Sequence, residues 1–196
     1  MTTEVSDGEE QPITPRIPPA SPPYPDRVGA SLDALTRPGE EPLTLFTTLA
    51  SDERLFERFT AGGLLDRGHL SLRQRELAID RITALCGSEY EWGVHVSLFG
   101  ERAGLTDGQI ASLLAGGGAD DCWTEEEACL LDVCDEVDRT SSLCPASWER
   151  ARRHFEALAI LELLMLCGFY RMVSYVTNGL ALQNEQWAAR FADHRL

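Results

Sequence analysis

From Pro42 onward the apolar residues recur at the three- and four-residue spacing of helices, and few stretches alternate as a half-buried strand does. Four S/T-x-x-E/Q boxes stand where helices should begin: Ser71 with Gln74, Ser88 with Glu91, Thr106 with Gln109 and Thr124 with Glu127. Each pair can satisfy backbone N–H groups that a first turn leaves without partners. The expected domain is therefore all-α. About eight helices are predicted, near 43–49, 51–64, 71–86, 88–103, 106–115, 124–139, 145–154 and 156–182, with Gly168 as the weak point of the last. Gly87 and Gly104 suit helix ends, and Gly116-Gly117-Gly118 makes a flexible connection.

The N-terminal part follows another rule. Seven of the ten prolines fall between Pro12 and Pro25, a density that supports extended structure and forbids helix or sheet. Residues 1–30 are expected to be an acidic, then proline-rich tail, with Ile17 and Tyr24 able to pin its second half, and residues 31–196 a single all-α domain. A chain of 196 residues can build such a core without disulfides or metal.

Charge narrows the partners. With 32 acids against 17 bases the formal net charge is -15, a field that repels phosphate backbones and anionic lipid. Neither nucleic acid nor a membrane is an expected partner. The longest apolar stretch, Ala157 to Tyr170, is interrupted by Glu162 and reads as a buried helix, with Glu162 either exposed on it or a second buried carboxylate. The N-terminus shows no basic-then-apolar signal pattern, so a cytoplasmic location is expected. All 17 bases are arginine, which removes Schiff-base chemistry and the phosphate-loop lysine. The six cysteines, at 86, 122, 129, 134, 144 and 167, form no C-x-x-C pair and no zinc spacing, and read as buried thiols. Trp123, Trp148 and Trp187 read as packing anchors, and His69, His154 and His194 as surface residues.

The segment from Arg73 to His95, RQRELAIDRITALCGSEYEWGVH, gathers ionisable residues among apolar ones on two successive helices. Glu76 sits beside an apolar face of the first. On the second, Ser88, Glu91 and His95 fall at i, i+3 and i+7 and share one face. A carboxylate set against an imidazole in an apolar pocket can transfer protons near neutrality. The same residues have a plainer reading: Ser88 and Glu91 as a capping box, Glu76 paired with Arg73 or Arg81, and His95 as a satisfied core histidine. H-E-x-x-H and E-x-x-H are absent, so no metal is expected.

Certain runs resemble a known family: R-x-R-E-L at Arg73 to Leu77, C-G-S-E-Y-E-W-G-V-H at Cys86 to His95, A-G-L-T at Ala103 to Thr106, W-T-x-x-E at Trp123 to Glu127 and G-F-Y at Gly168 to Tyr170. Together with the PRIPP opening and the closing W-A-A-R-F, they resemble the carboxymuconolactone decarboxylase and alkylhydroperoxidase D family over about residues 15–192. The resemblance implies an all-α homo-oligomer, a dimer, trimer or hexamer, with a site between helices near a subunit interface. Peroxidase members carry a glutamate, eleven residues, then C-x-x-C-x-x-x-H. Laid on this chain, Glu76 takes the glutamate's place, Ser88 and Glu91 those of the two thiols, and His95 that of the histidine. Both thiols are gone, and Cys86 lies two residues before the first thiol position.

Decarboxylase members also lack the thiols and use acid–base groups on an unsaturated lactone acid with no cofactor. Where relatives show two further histidines, this chain has Asp138 and Arg171. The expected function is a cofactor-independent acid–base enzyme of lyase or isomerase type, performing decarboxylation, isomerisation or lactone opening on a small unsaturated or carbonyl-bearing molecule. Glu76 and His95 would move protons with Glu91 assisting, and Ser88, Tyr90, Trp92, Arg81 and Arg171 would bind substrate. The alternatives are thiol-dependent peroxide reduction through Cys86 and a non-catalytic oligomeric binder.

Overall fold

Eight consecutive residues of one helix, Glu76 to Thr83, are buried, and that helix organises the chain. A computed structural model describes residues 14–194. Within them lie nine α-helices and a closing 3-10 turn, with no strand among the described residues. In order they are α1 (Asp26–Leu35), α2 (Thr44–Leu49), α3 (Glu53–Thr60), α4 (Leu72–Leu85), α5 (Glu89–Phe99), α6 (Asp107–Ala115), α7 (Glu125–Thr140), α8 (Pro145–His154) and α9 (Ala157–Gly179). The 3-10 turn is Phe191–Asp193. Helix α4 packs against α5, α6, α7 and α9, so no side of it faces water along its middle. The main core fills the space around it with Leu77, Ile79, Ile82, Leu130, Leu131, Ile160, Leu163 and Val173.

Three of the four predicted boxes form as complete reciprocal caps, at Ser71 with Gln74, Thr106 with Gln109 and Thr124 with Glu127. The fourth does not. Ser88 precedes α5, but its hydroxyl shares a 2.8 Å hydrogen bond with Thr177 of α9, and Glu91 turns toward His95. Gly87 ends α4 with φ of +63°, a left-handed conformation that suits glycine. The sharp turn folds α5 back along α4, with the Ser88 N–H donating to Thr83 O.

Three further expectations need correction. Helix α1 lies inside the stretch read as tail, because only Val28 and Leu32 of it are buried and the pattern is too sparse to register. These two residues close a small cluster with Ala50, Phe56 and Tyr24. The boundary near residue 30 therefore moves: Arg16 and Ala20 donate backbone hydrogen bonds to Leu180 and Thr47, while Ile17 remains exposed. Residues 1–13 of the expected tail lie outside the described residues. Helix α9 runs unbroken through Gly168, carried by its buried side of Ile160, Leu163, Leu166, Tyr170 and Val173. With 23 residues, α9 is long and apolar enough to cross a membrane, though Glu162 and Arg171 punctuate it.

Glu162 is partly exposed and accepts the His69 N–H at 2.5 Å, closing the loop ahead of α4. Of the tryptophans, Trp148 and Trp187 are exposed and Trp92 is the fully buried one. At Gly93 the C-terminal segment passes so close to α5 that an added Cβ would stand 2.3 Å from Ala189 O.

Candidate active site

The α4–α5 pair juxtaposes two i, i+4 couples, Glu76 with Asp80 on α4 and Glu91 with His95 on α5. All four side chains are buried. The His95 Nδ1 lies 2.7 Å from Glu76 Oε2, and its Nε2 lies 3.4 Å from Glu91 Oε1, so the imidazole is held between two carboxylates from its two nitrogens. Arg75 Nε donates to the other Glu76 oxygen at 3.2 Å. The Tyr170 ring meets the His95 ring edge-on at 5.1 Å, and Phe99 lies 5.3 Å away on the same ring.

An imidazole that faces a carboxylate at each nitrogen can donate from both only as imidazolium. Burial works against that charge, yet the hydrogen bonds and the charges of Glu76 and Glu91 prevail and push the His95 pKa up to about 10. At neutral pH His95 is therefore a proton donor. Because both nitrogens are engaged, neither is open to a metal, and among the described residues no three His, Cys, Asp or Glu side chains are arranged to hold one.

Two groups at the site are incomplete. Among the described residues, both Asp80 oxygens and Glu91 Oε2 are buried without a hydrogen-bond partner. Desolvation raises the Asp80 pKa well above the usual carboxylate value; the nearby His95 charge opposes the rise and Glu76 adds to it. Burial thus favours the protonated form of Asp80 over the carboxylate. Burial also raises the Tyr170 phenol, with Glu91 and Glu76 contributing, so its proton stays on. Asp80 went unnoticed in the sequence, although its i+4 spacing from Glu76 marked it as a neighbour on the same helix face.

The structure brings Glu76, Glu91 and His95 together and sends the other five candidates elsewhere. Arg81 is buried on another side of α4, where Nε and Nη2 grip Asp135 at 2.6 and 2.9 Å and Nη1 reaches Leu113 O. Ser88 faces Thr177. The Tyr90 hydroxyl donates to Glu185 at 2.6 Å and accepts the Leu45 N–H. Trp92 packs against Phe191 and His194, which also takes His194 out of the set of plain surface histidines. Arg171 pairs with Asp138 and donates to the Tyr175 hydroxyl. Spacing along a helix fixes direction around that helix only, and apart from Tyr175, four residues after Arg171, these partners come from 32 to 102 residues away.

The cysteines divide evenly. Cys129, Cys134 and Cys167 are buried, Cys86 is intermediate, and Cys122 and Cys144 are exposed, correcting the expectation of a wholly buried set. Burial and the Asp138 charge raise the Cys86 thiol, which disfavours it as a nucleophile at neutral pH. A surface pocket of about 710 Å³, bordered by Ala84, Ala111, Ser112, Asp120 and Phe191, lies apart from the acid–base cluster.

The all-α fold is one shared with solved alkylhydroperoxidase D-like proteins. Residues 53–131, from α3 into α7, match the model of the Carboxymuconolactone decarboxylase family and contain the whole cluster. Over those residues the chain is similar to that family. No curated protein matches its sequence.

Among solved structures, it is similar to a peroxidase-related protein from Silicibacter sp. TM1040, at TM-score 0.78 and 18% identity over 90% of this chain and 96% of that one. A peroxidase-related protein with an alkylhydroperoxidase AhpD core from Ralstonia eutropha JMP134 matches at TM-score 0.75 and 17% identity, over 83% and 87%. The debrominase Bmp8 matches at TM-score 0.68 and 13% identity, over 87% and 92%. At these identities the likeness is one of fold.

Proposed function

We propose that the chain is a cofactor-independent enzyme that moves protons on a small unsaturated or carbonyl-bearing molecule, with His95 as acid and Glu91 as base. The observation that carries this reading is the buried imidazole held between Glu76 and Glu91 beside oxygens that have no partner. A finished structural ion pair has no reason to leave a carboxylate oxygen unsatisfied, whereas a site that must accept a substrate proton does. Glu76 orients the imidazole and holds its charge.

In a decarboxylation the bond to the carboxylate breaks, carbon dioxide leaves, and the electron pair remains on an enolate-like fragment. The His95 N–H then delivers the proton that fragment takes up. In an isomerisation, Glu91 removes a proton and His95 returns one to another carbon. The family match and the fold shared with a debrominase, a cysteine-to-alanine variant of which has been crystallised with 2,3,4-tribromopyrrole, support a small unsaturated substrate. Incubation with a panel of unsaturated lactone acids and β-keto acids, followed by mass spectrometry, tests this. Turnover that survives in Glu76→Gln and His95→Ala chains of unchanged helicity would refute it.

A homo-oligomer belongs to the same reading. Leu158, Leu161, Met165, Met172 and Tyr175 line one exposed face of α9, at the alternating three- and four-residue steps of a helix-pairing seam with Gly168 in register. A second copy is the occupant we assign to it. A monodisperse 21.7 kDa species in sedimentation at micromolar concentration would contradict that assignment.

A further inference from the structure

Helices α7 and α9 each place one cysteine in the same part of the core. Cys134 and Cys167, 33 residues apart in sequence, meet with their sulfurs 3.8 Å apart. No motif announces the pair, because neither helix carries both members. The two thiols are unequal. Cys134 is fully enclosed, whereas Cys167 is 5% exposed and lines a pocket of about 330 Å³ with Leu164, Gly168, Asp138 and Arg171. Arg171 is the pocket's one cationic lining residue.

We propose that Cys134 and Cys167 form an oxidisable dithiol, in which a small hydroperoxide entering this pocket oxidises Cys167 and Cys134 then closes a disulfide joining α7 to α9. In the first step the Cys167 sulfur attacks one peroxide oxygen; an S–O bond forms, the O–O bond breaks, and the electron pair departs on an alkoxide that takes up a proton as alcohol. In the second step the Cys134 sulfur attacks the sulfenic acid; an S–S bond forms, the S–O bond breaks, and the hydroxide leaves with the Cys134 proton as water. Two thiols lose two electrons and two protons, and the hydroperoxide becomes alcohol and water. Return to the dithiol requires an external thiol reductant.

The geometry favours this order. Of the two, only Cys167 borders the pocket, and the sulfurs need to close from 3.8 Å to about 2.05 Å to bond. The hydrogen bond to Cys167 and burial raise the Cys134 thiol, so Cys134 does not open the reaction. The inference does not rest on the acid–base reading, since its residues lie on α7 and α9 and that reading's on α4 and α5.

The test uses the full chain, reduced, freed of reductant and exposed to hydrogen peroxide or tert-butyl hydroperoxide. The protein is then denatured in an alkylating reagent for thiol titration and non-reducing peptide mapping. Titratable thiols should fall from the six of the sequence by two, with a cross-linked peptide joining positions 134 and 167 that dithiothreitol reverses. Cys134→Ser should instead accumulate a dimedone adduct on Cys167, and Cys167→Ser should lose both the cross-link and any adduct at 134. If Cys134 and Cys167 remain alkylatable while Cys86, Cys122 or Cys144 oxidises, the proposal fails. It fails equally if Cys167→Ser leaves Cys134 oxidising at the parent rate. Should a serine variant not fold, the peptide map of the unaltered chain decides alone.

Discussion

Asp80 and Arg81 are neighbours on α4, both buried, and the protein treats them in opposite ways. Arg81 has a bidentate carboxylate in Asp135 and a carbonyl in Leu113, so its desolvation is met by three directed hydrogen bonds that tie α4 to α6 and α7. Asp80, one residue earlier and so about 100° around the helix, meets no donor at either oxygen. The Arg81 side of α4 is a completed clamp. The Asp80 side, shared with Glu76, Glu91 and His95, is left chemically unfinished, which is how a buried polar group serves reactivity at the expense of stability.

The comparison can be broken at several points. The largest effect should follow His95→Ala or Glu76→Gln, each lowering turnover by about 10²-fold or more with helicity retained, while Cys86→Ser changes little. A steady-state assay with circular dichroism checks this. Equal losses from Cys86→Ser would move the chemistry to the thiol.

Next comes Arg81→Ala, expected to cost about 2–4 kcal/mol of stability, because it strips Leu113 O and Asp135 of their partner and empties the space the guanidinium fills. Half-exposed Asp135 can recover water, which keeps the loss below that of a fully buried pair. Urea denaturation gives the value, and an unchanged midpoint would mean that the clamp is idle.

Asp80→Asn should do the reverse. It removes an unpaired acid whose raised pKa makes the folded state prefer the protonated form, a preference that penalises folding once the unfolded chain ionises near its ordinary value of about 3.9. The variant should be more stable at neutral pH by about 1–2 kcal/mol and less active. A fall in melting temperature would show that Asp80 has a donor after all.

The His95 charge sets a related pH dependence. Its folded pKa, about 10, stands above the unfolded value of about 6.5, so its stabilising contribution is full below pH 6.5 and is lost as pH rises through 10. Nitrogen-15 NMR of the imidazole should locate that titration and show it falling in Glu91→Gln. The smallest effect belongs to the periphery: Thr124→Ala should cost about 1 kcal/mol by deleting one cap, with turnover untouched.

How far each feature was legible depends on the distance its interactions span. The caps at Ser71, Thr106 and Thr124 and the Glu91–His95 couple could be read from the sequence because their partners lie three or four residues apart. The Glu76–His95 contact spans 19 residues and came from the aligned resemblance rather than from helical spacing. Helix α1 escaped because its two buried residues have meaning only against Phe56 and Ala50.

By itself, then, the sequence determined the helices from α2 onward, most of their starts and the ionisable residues that α4 and α5 carry. Only the tertiary structure decided that Ser88 answers Thr177, that Tyr90 answers Glu185, that Arg81 is a clamp while Asp80 stays unpaired, and that Cys134 meets Cys167. The reason is physical. Backbone geometry dictates where a side chain points around its own helix, whereas the group it meets there is set by how the helices pack.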